Sequence, residues 1–228
     1  MKFVSTRGGA KVGCARAIVA GLSENGGLYV PEKFPAVSVE ELSEMLGMSY
    51  AERAAVVLSK YLDEYDADWL LNACESAYSG FGGDPAPLVR LDDGVYMLEL
   101  WHGPTCAFKD IALKLLPYLL KKACELCGIE ENVLILTATS GDTGKAALEG
   151  FKDKAGFKVM VFYPSEGVSK MQKLQMCTQD GNNVNVVAVK GNFDDCQTAV
   201  KEIFSKSEYA ELLKQKNVRL SSANSINF

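Results

Sequence analysis

The second half of the chain alternates between short apolar runs and helical segments, and this pattern constrains the fold more than any other feature. The apolar runs are rich in β-branched residues and read NVLILTAT, FKVMVFYP and NVNVVAVKG, and the chain closes with VRLSSANSINF. Helical segments with apolar residues at three- and four-residue spacing separate them. Such runs are typical of parallel strands that are covered on both faces. We therefore predict an α/β fold with a parallel sheet and right-handed crossovers.

The first part of the chain has a different pattern. Between about Glu40 and Ala77 the helical spacing occurs three times, in VEELSEML, AERAAVVLSKYL and DADWLLNACESAY. The Gly-rich segment FGGDPAP then interrupts the chain, and the runs LVRL and VYMLEL around Asp92-Asp93-Gly94 predict a β-hairpin. We predict a small helical amino-terminal domain over residues 1–83 and a parallel-sheet domain over residues 84–228.

A long helical pattern, IALKLLPYLLKKACELC, follows Lys109 and contains Pro117. Proline lacks the backbone N–H donor and clashes with the preceding helical turn. The pattern therefore predicts either a bent helix or two shorter helices.

Composition and charge restrict the class of partner. The chain has 228 residues, 48% of them hydrophobic, which suffices for a sizeable core. A net charge of -5 and a pI near 5.1 argue against a protein that binds mainly nucleic-acid phosphates or anionic membranes. No apolar run approaches the roughly 20 residues of a membrane span, and the amino terminus lacks a signal-peptide core. We expect a cytoplasmic protein with a small-molecule partner, and neither a nucleic acid nor a membrane.

The cysteines point to a reducing compartment. Their number is seven, and an odd number in a chain of this size favours reduced thiols over a disulfide framework. Cys124 and Cys127 form a C-x-x-C, but it stands within an amphipathic helical pattern and no second pair follows. Core packing is the commoner fate of such a pair, so we predict no metal site.

One loop has the pattern of an anion site. The predicted strand NVLILTAT leads into a polar, Gly-rich turn and then into a helix, so that free amides, hydroxyl groups and the positive helix end converge. The carboxyl end of a parallel strand is also where open α/β sheets bind ligands. A nucleotide P-loop is disfavoured, because Thr139 replaces the required glycine and Ala146 the required Ser or Thr. An ordinary turn with a Ser or Asp cap remains an alternative. The candidate residues are Ser140, Gly141, Asp142, Thr143 and Gly144.

The segment HGPTCAFKD contains a candidate nucleophile, Lys109. The start of a helix and an apolar lead-in both disfavour the charged form of a lysine amine. A neutral amine can attack a carbonyl carbon and form a Schiff base, which is how pyridoxal phosphate is held. The alternative is a surface lysine that pairs with Asp110 or Asp142. His102 is expected to order the Gly-Pro turn and not to act as a base.

Taken together, HGPTCAFKD and TSGDTG resemble the cofactor-lysine and substrate-loop motifs of the threonine synthase family. The segments STRG, GLSENGGLYVPE, YPSEGVSKMQKLQM and SANSINF are similar to that family as well, so the resemblance covers the whole chain. It implies a three-layer α/β fold like that of the tryptophan synthase β-subunit, in other words a fold-type II pyridoxal phosphate enzyme.

The resemblance also implies roles for individual residues. Lys109 would hold pyridoxal phosphate and then move protons, while Phe108 and Asp142 would contact the cofactor. The substrate would be O-phospho-L-homoserine, and the products L-threonine and phosphate. Residues 140–144 would bind the substrate carboxylate. The substrate phosphate would lie near Asn224, Ser225 and Asn227.

Two alternatives remain at this point, a phospho-lyase that releases 2-oxobutyrate and a non-catalytic domain with the same fold. The chain ends at Phe228, before the Gly-rich cofactor-phosphate loop of the family, so we expect an amino-terminal portion that is inactive by itself. The resemblance further suggests a mobile subdomain over about residues 132–190. A monomer or a homodimer is expected.

Overall fold

The computed structural model describes residues 1–223, which form two compact units. The first unit comprises residues 1–111 and 118–128, and the second comprises residues 112–117 and 129–223. Three predicted phosphate-binding residues, Asn224, Ser225 and Asn227, lie outside the described residues.

The first unit starts with a small antiparallel sheet that the sequence pattern did not predict. Its strands are β1 (Lys2–Ser5), β2 (Val12–Gly13) and β3 (Tyr29–Pro31), in the order β2-β1-β3. Helix α1 (Cys14–Ala20) follows β2 directly. Strands of two to four residues are too short to display an alternating pattern, which is why no local signal predicted them.

The three predicted amino-terminal helices are confirmed as α2 (Val39–Met45), α3 (Tyr50–Ser59) and α4 (Ala67–Tyr78). Each begins at a capping side chain. Ser38 and Ser49 start capping boxes with Glu41 and Glu52, and Asp66 accepts the backbone N–H of Trp69 at 2.9 Å. These caps satisfy N–H donors that have no partner within the helix, and they fix where each helix starts.

The predicted hairpin is confirmed as well. Strands β4 (Leu88–Asp92) and β5 (Val95–Leu98) pair in antiparallel fashion around a turn in which Gly94 has a φ of 73°. Glycine adopts this left-handed conformation without steric cost, which explains its place in the turn. Every residue of both strands is exposed.

The helical pattern after Lys109 forms two helices, α5 (Asp110–Leu113) and α6 (Leu116–Leu126). Pro117 lies in the first turn of α6, where a missing N–H removes no intrahelical bond. The prediction of two shorter pieces is therefore confirmed. Cys124 is buried in α6, and no cluster of metal-ligating side chains occurs within residues 1–223.

The second unit contains a four-stranded, fully parallel sheet, as predicted. The strands are β6 (Asn132–Ala138), β7 (Phe157–Pro164), β8 (Val184–Val189) and β9 (Val218–Ser221), in the order β8-β7-β6-β9. The chain moves outward from β6 to β8 and then returns to the other side of β6. The strand order thus reverses between β6 and β9.

Four helices accompany this sheet, namely α7 (Asp142–Phe151), α8 (Lys170–Cys177), α9 (Phe193–Ser205) and α10 (Ser207–Gln215). The first three match predicted helices, whereas α10 was not predicted. No residue of α10 is buried. None of the helices in the described part of the chain is long and apolar enough to cross a membrane.

The core of the second unit lies between β6, β7 and α7. Val159, Val161, Leu148 and Phe151 are completely buried there. A side chain at Gly150 of α7 would meet the backbone carbonyl oxygen of Leu113, so this glycine permits close packing of the two backbones. This packing fixes α7 and the loop that precedes it.

Candidate active site

Lys109 lies in a turn that leads directly into α5, as the sequence predicted for the start of a helix. Its side chain is half-buried, and its Nζ lies 4.2 Å from the centroid of the Phe108 ring. A lysine over an aromatic face is held by the negative potential of the ring. The ring itself is 55% exposed. The structure therefore brings the two predicted cofactor residues of this turn together.

The alternative in which Lys109 pairs with Asp110 is wrong within the first unit. Asp110 is buried and accepts two hydrogen bonds from Thr105, and Asp142 accepts one from the side-chain amide of Gln172 at 2.8 Å. No ion pair forms between Lys109 and any residue of the first unit, which comprises residues 1–111 and 118–128. Its amine is therefore not engaged by a carboxylate there.

His102 occupies a structural position. Its Nε2 lies 2.7 Å from Oε2 of Glu99, and its ring stacks on that of Trp101. These contacts hold the segment between the hairpin and the Gly-Pro turn. They agree with the predicted ordering role, whereas a part for His102 in proton transfer has no support from them.

The loop after β6 is organised by Thr139, whose importance the sequence did not reveal. Its buried hydroxyl oxygen accepts the N–H of Gly141 and the N–H of Gly144, both at 3.0 Å. A side chain at Gly144 would collide with Thr139 and Val161, so the helix start can approach β7 only with glycine there. The hydroxyl group of Thr139 thus holds the loop in place through two hydrogen bonds, an arrangement that we call the clamp of Thr139.

Gly141 is required for two independent reasons. Its backbone has a φ of 154° and a ψ of -90°, a conformation that other residues rarely adopt. An added Cβ would also collide with the side-chain amide of Gln172 in α8. The predicted glycine of the anion loop is therefore fixed by backbone conformation and by packing.

The start of α7 has the donors of an anion site. Gly141 is the N-cap residue and has no side chain of its own to cap this end. The alternative of a turn with a Ser or Asp cap is therefore wrong. Thr139 uses the N–H of Gly144, but those of Asp142 and Thr143 have no acceptor in the described part of the chain. Exposed amides at a positive helix end favour a negatively charged ligand.

The strand order adds a second reason to place a ligand at this loop. In open α/β sheets, ligands bind outside the carboxyl ends of the strands at the point where the strand order reverses. Here that point lies between β6 and β9, and the loop of residues 139–144 follows the carboxyl end of β6. Sequence alone gave the strands but not their order.

Comparison with known proteins identifies the family. A family model described as "Pyridoxal-phosphate dependent enzyme" matches residues 81–224. The chain belongs to the pyridoxal-phosphate dependent enzyme family. A second model, described as "Threonine synthase N terminus", matches residues 2–78. The predicted family resemblance and the fold-type II α/β architecture are confirmed.

Relatives within the pyridoxal-phosphate dependent enzyme family are threonine synthases. The chain is 40% identical to the threonine synthase of Pseudomonas aeruginosa, covering 100% of this chain and 48% of that protein. It is 39% identical to threonine synthase-like 1 of Homo sapiens, covering 94% of this chain and 30% of that protein. The chain spans at most about half the length of these relatives.

Solved structures give the same result. A pyridoxal phosphate-bound threonine synthase from Brucella melitensis superposes with a TM-score of 0.90 at 39% identity, covering 100% of this chain and 48% of that chain. The threonine synthase from yeast superposes with a TM-score of 0.88 at 32% identity, covering 99% and 46% of the two chains.

Pyridoxal phosphate is the cofactor of this enzyme family, and the residues present fit it. In the first unit the turn offers a primary amine beside an exposed aromatic ring. In the second unit the loop offers the amides of Asp142 and Thr143, which lie between two glycines where added side chains would not fit. The first feature suits a carbonyl group, and the second suits an anion.

Proposed function

We propose that the protein carrying this chain converts O-phospho-L-homoserine and water to L-threonine and phosphate. The observation that carries the proposal is the amine of Lys109, which stands in the HGPTCAFKD turn without a carboxylate partner in the first unit. The sequence relationship to threonine synthases over the whole chain supports the choice of reaction.

In this proposal Lys109 has two tasks. Its Nζ holds the cofactor before substrate enters, and afterwards it removes the α-proton and then a β-proton of the substrate. Bound pyridoxal phosphate supplies an electron sink for the carbanions that these proton transfers create. Phe108 provides an aromatic surface next to the amine. One flexible side chain can therefore serve several steps.

The loop after β6 binds the substrate carboxylate in this proposal. The amides of Asp142 and Thr143 donate to its oxygens, and the Ser140 hydroxyl is exposed and available as a further donor. Gly141 and Gly144 allow the backbone to approach the ligand. The carboxylate of Asp142 is directed towards Gln172, which reduces its repulsion of an anionic ligand. Asn224, Ser225 and Asn227 are proposed as the phosphate contacts.

Substitution of Lys109 tests the proposal directly. In the protein as its gene encodes it, Lys109→Ala should abolish turnover. The pyridoxyl label that borohydride traps on the peptide containing position 109 should disappear as well, because no other amine replaces that of Lys109. The matched control is Lys121→Ala, which removes an exposed lysine from α6. Retained turnover in Lys109→Ala would contradict the assignment of this residue.

The identity of the product separates the synthase from the phospho-lyase. The assay measures L-threonine and 2-oxobutyrate formed from O-phospho-L-homoserine by the unsubstituted protein. Threonine is expected as the main product. Oxoacid as the main product would replace the proposed reaction with phosphate elimination, and neither product would favour a non-catalytic role.

The domain organisation remains a proposal. We propose an amino-terminal domain of residues 1–83, a catalytic domain that begins at residue 84, and movement of about residues 132–190 when substrate binds. The sheet to which this last segment belongs continues to β9, beyond residue 190. Identical structures of the enzyme with and without substrate would contradict the proposed movement.

A cytoplasmic monomer or homodimer is proposed as well, and light scattering would measure its mass.

A further inference from the structure

Next to Lys109 lies a buried carboxylate to which the proposed function gives no role. Asp110 is completely buried. Its Oδ2 accepts the backbone N–H of Thr105 at 2.8 Å, and its Oδ1 accepts the hydroxyl hydrogen of Thr105 at 2.6 Å. Burial of a carboxylate is unfavourable unless it receives hydrogen bonds, and bonds to an ionised acceptor are short and strong. Both oxygens of Asp110 thus bind one residue of the same turn.

The carboxylate also touches the beginning of the turn. A Cβ built on Gly103 would lie 2.6 Å from Cβ of Asp110 and would overlap its carboxylate, so only glycine fits there. Within the turn, the N–H of Cys106 donates to the Gly103 carbonyl oxygen at 3.1 Å, and that of Asp110 donates to Ala107 at 3.0 Å. We call this closed arrangement of residues 103–110 the Asp110 clasp.

The clasp encloses the backbone of Lys109. The lysine is covalently joined to Asp110, and Asp110 is tied back to Thr105, so the segment that carries the amine has both ends fixed. Cys106 adopts a φ of 57° inside this ring, a conformation that few non-glycine residues show and that the surrounding bonds must hold. An opened clasp would release this conformation and change the direction in which the lysine side chain starts.

We propose that Asp110 is a positioning residue for Lys109, acting through its two hydrogen bonds to Thr105. The inference rests on the proposed role of Lys109. Reactions of a side-chain amine depend on its orientation, and a misplacement of about 1 Å can cost about 100-fold in rate. Asp110 does not contact the reacting atoms in this proposal, because its oxygens face Thr105.

The key variant is Thr105→Val, which keeps the shape of the side chain and removes the hydroxyl donor to Oδ1. Thr105→Ser restores the donor with one methyl group fewer. The matched stability control is Ser49→Ala, which removes the cap of α3 in the same unit and whose hydrogen bonds go to Glu52, not to residues 103–110. Asp110→Asn disrupts the same pair of hydrogen bonds from the other side, since the side-chain amide has one oxygen and cannot accept at both positions from the N–H and the hydroxyl of Thr105.

The first readout needs no cofactor. Amide hydrogen exchange of residues 103–110 is followed by mass spectrometry in the protein as its gene encodes it. Thr105→Val and Asp110→Asn should speed exchange in this segment by at least about tenfold, because the loss of a charge-assisted bond favours local opening. Thr105→Ser should retain slow exchange, and Ser49→Ala should change exchange in α3 only.

The second readout is the rate at which added pyridoxal phosphate becomes trapped on Lys109 by borohydride, measured by peptide mapping. Thr105→Val and Asp110→Asn should slow this rate by about tenfold or more, and Thr105→Ser should restore it. Ser49→Ala should label at the rate of the unsubstituted protein, although its stability is reduced.

The outcomes distinguish a failure of the positioning role of Asp110 from a failure of the proposed function. If Thr105→Val labels Lys109 at the normal rate, or if Ser49→Ala slows labelling equally, the positioning role is overturned while the proposed function stands. Unchanged exchange of residues 103–110 in Thr105→Val would overturn the clasp itself. If the unsubstituted protein labels elsewhere than on Lys109, the proposed function fails and the positioning role fails with it.

Discussion

At the scale of single residues, the anion loop depends on a contact made by a helix distant in sequence. The side-chain amide of Gln172 donates to Asp142 at 2.8 Å, and its oxygen accepts from the Ser169 hydroxyl at 2.9 Å. Ser169 is also the N-cap of α8. The segment YPSEGVSKMQKLQM therefore fixes the position of α8 and the direction of the Asp142 carboxylate.

We expect Gln172→Glu to weaken substrate binding. The variant would lose the bond to Asp142 and add a negative charge beside the loop, and a like charge about 4 Å from an anionic ligand at a water-exposed site repels it by about 1 kcal/mol. The KM for the anionic substrate should rise by roughly fivefold with kcat little changed, because the effect is on binding. Gln172→Met is the uncharged control and should raise KM less. Equal effects of the two variants would show that charge plays no part.

At the scale of elements, helix α1 is capped by the side chain of Glu64, which lies in the segment between α3 and α4. Its N-cap residue is Gly13, which has no side chain, and the N–H of Ala15 donates instead to Oε2 of Glu64 at 2.8 Å. The Cys14 thiol donates to the same oxygen at 3.0 Å. These hydrogen bonds lower the pKa of Glu64, and burial raises the pKa of Cys14 to about 11.

Glu64→Gln should lower the free energy of unfolding near pH 7 by about 0.5–1 kcal/mol, the lower part of the range for helix caps, since Glu64 is largely exposed. A carboxyl group whose pKa is lower in the folded state stabilises above its unfolded pKa of about 4.3. That contribution is lost as the pH falls through the folded pKa. The difference between the variant and the unsubstituted protein should therefore shrink in acid.

Urea unfolding at pH 7 and at several acid pH values measures this difference. Glu75→Gln is the matched control, because it neutralises an exposed carboxylate on α4. A difference for Glu64→Gln that stays constant with pH would contradict the capping role of its charge.

At the scale of the whole molecule, apolar surface is distributed unevenly. The cores of the two units bury their large apolar side chains, whereas the β4–β5 hairpin exposes apolar side chains on both faces. Leu91 is 59% exposed, Val95 50% and Tyr96 54%. A two-stranded hairpin alone is at best marginally stable in water, and contiguous apolar patches promote association. We therefore expect the hairpin to promote self-association of the chain.

Leu91→Lys should reduce association of the 228-residue chain without loss of folding. We expect lower binding of an apolar fluorescent dye and less light scattering, with a change in the free energy of unfolding within about 0.5 kcal/mol, since Leu91 is exposed. Leu46→Lys is the control, because Leu46 is 84% exposed but lies outside the hairpin. An equal decrease in dye binding for both variants would exclude the hairpin as the cause.

The sequence by itself determined the elements whose signals are local. Apolar runs with helices between them gave the parallel strands, and Gly94 gave the hairpin turn, because each depends on neighbouring residues. Pro117 gave a choice between a bent helix and two shorter helices. The motifs also gave the family and the candidate lysine. The short strands β1 to β3 and helix α10 were not predicted.

Only the tertiary structure decided the contacts that depend on distant residues. The strand order β8-β7-β6-β9, the clamp of Thr139 and the contact of Gln172 with Asp142 join segments whose separation along the chain carries no pattern. The same holds for the partners of Lys109. Its motif left open whether Asp110 pairs with the amine, and folding resolved this in the first unit by burying Asp110 against Thr105. Propensity and periodicity act over a few residues, whereas hydrogen-bond partners are chosen by packing.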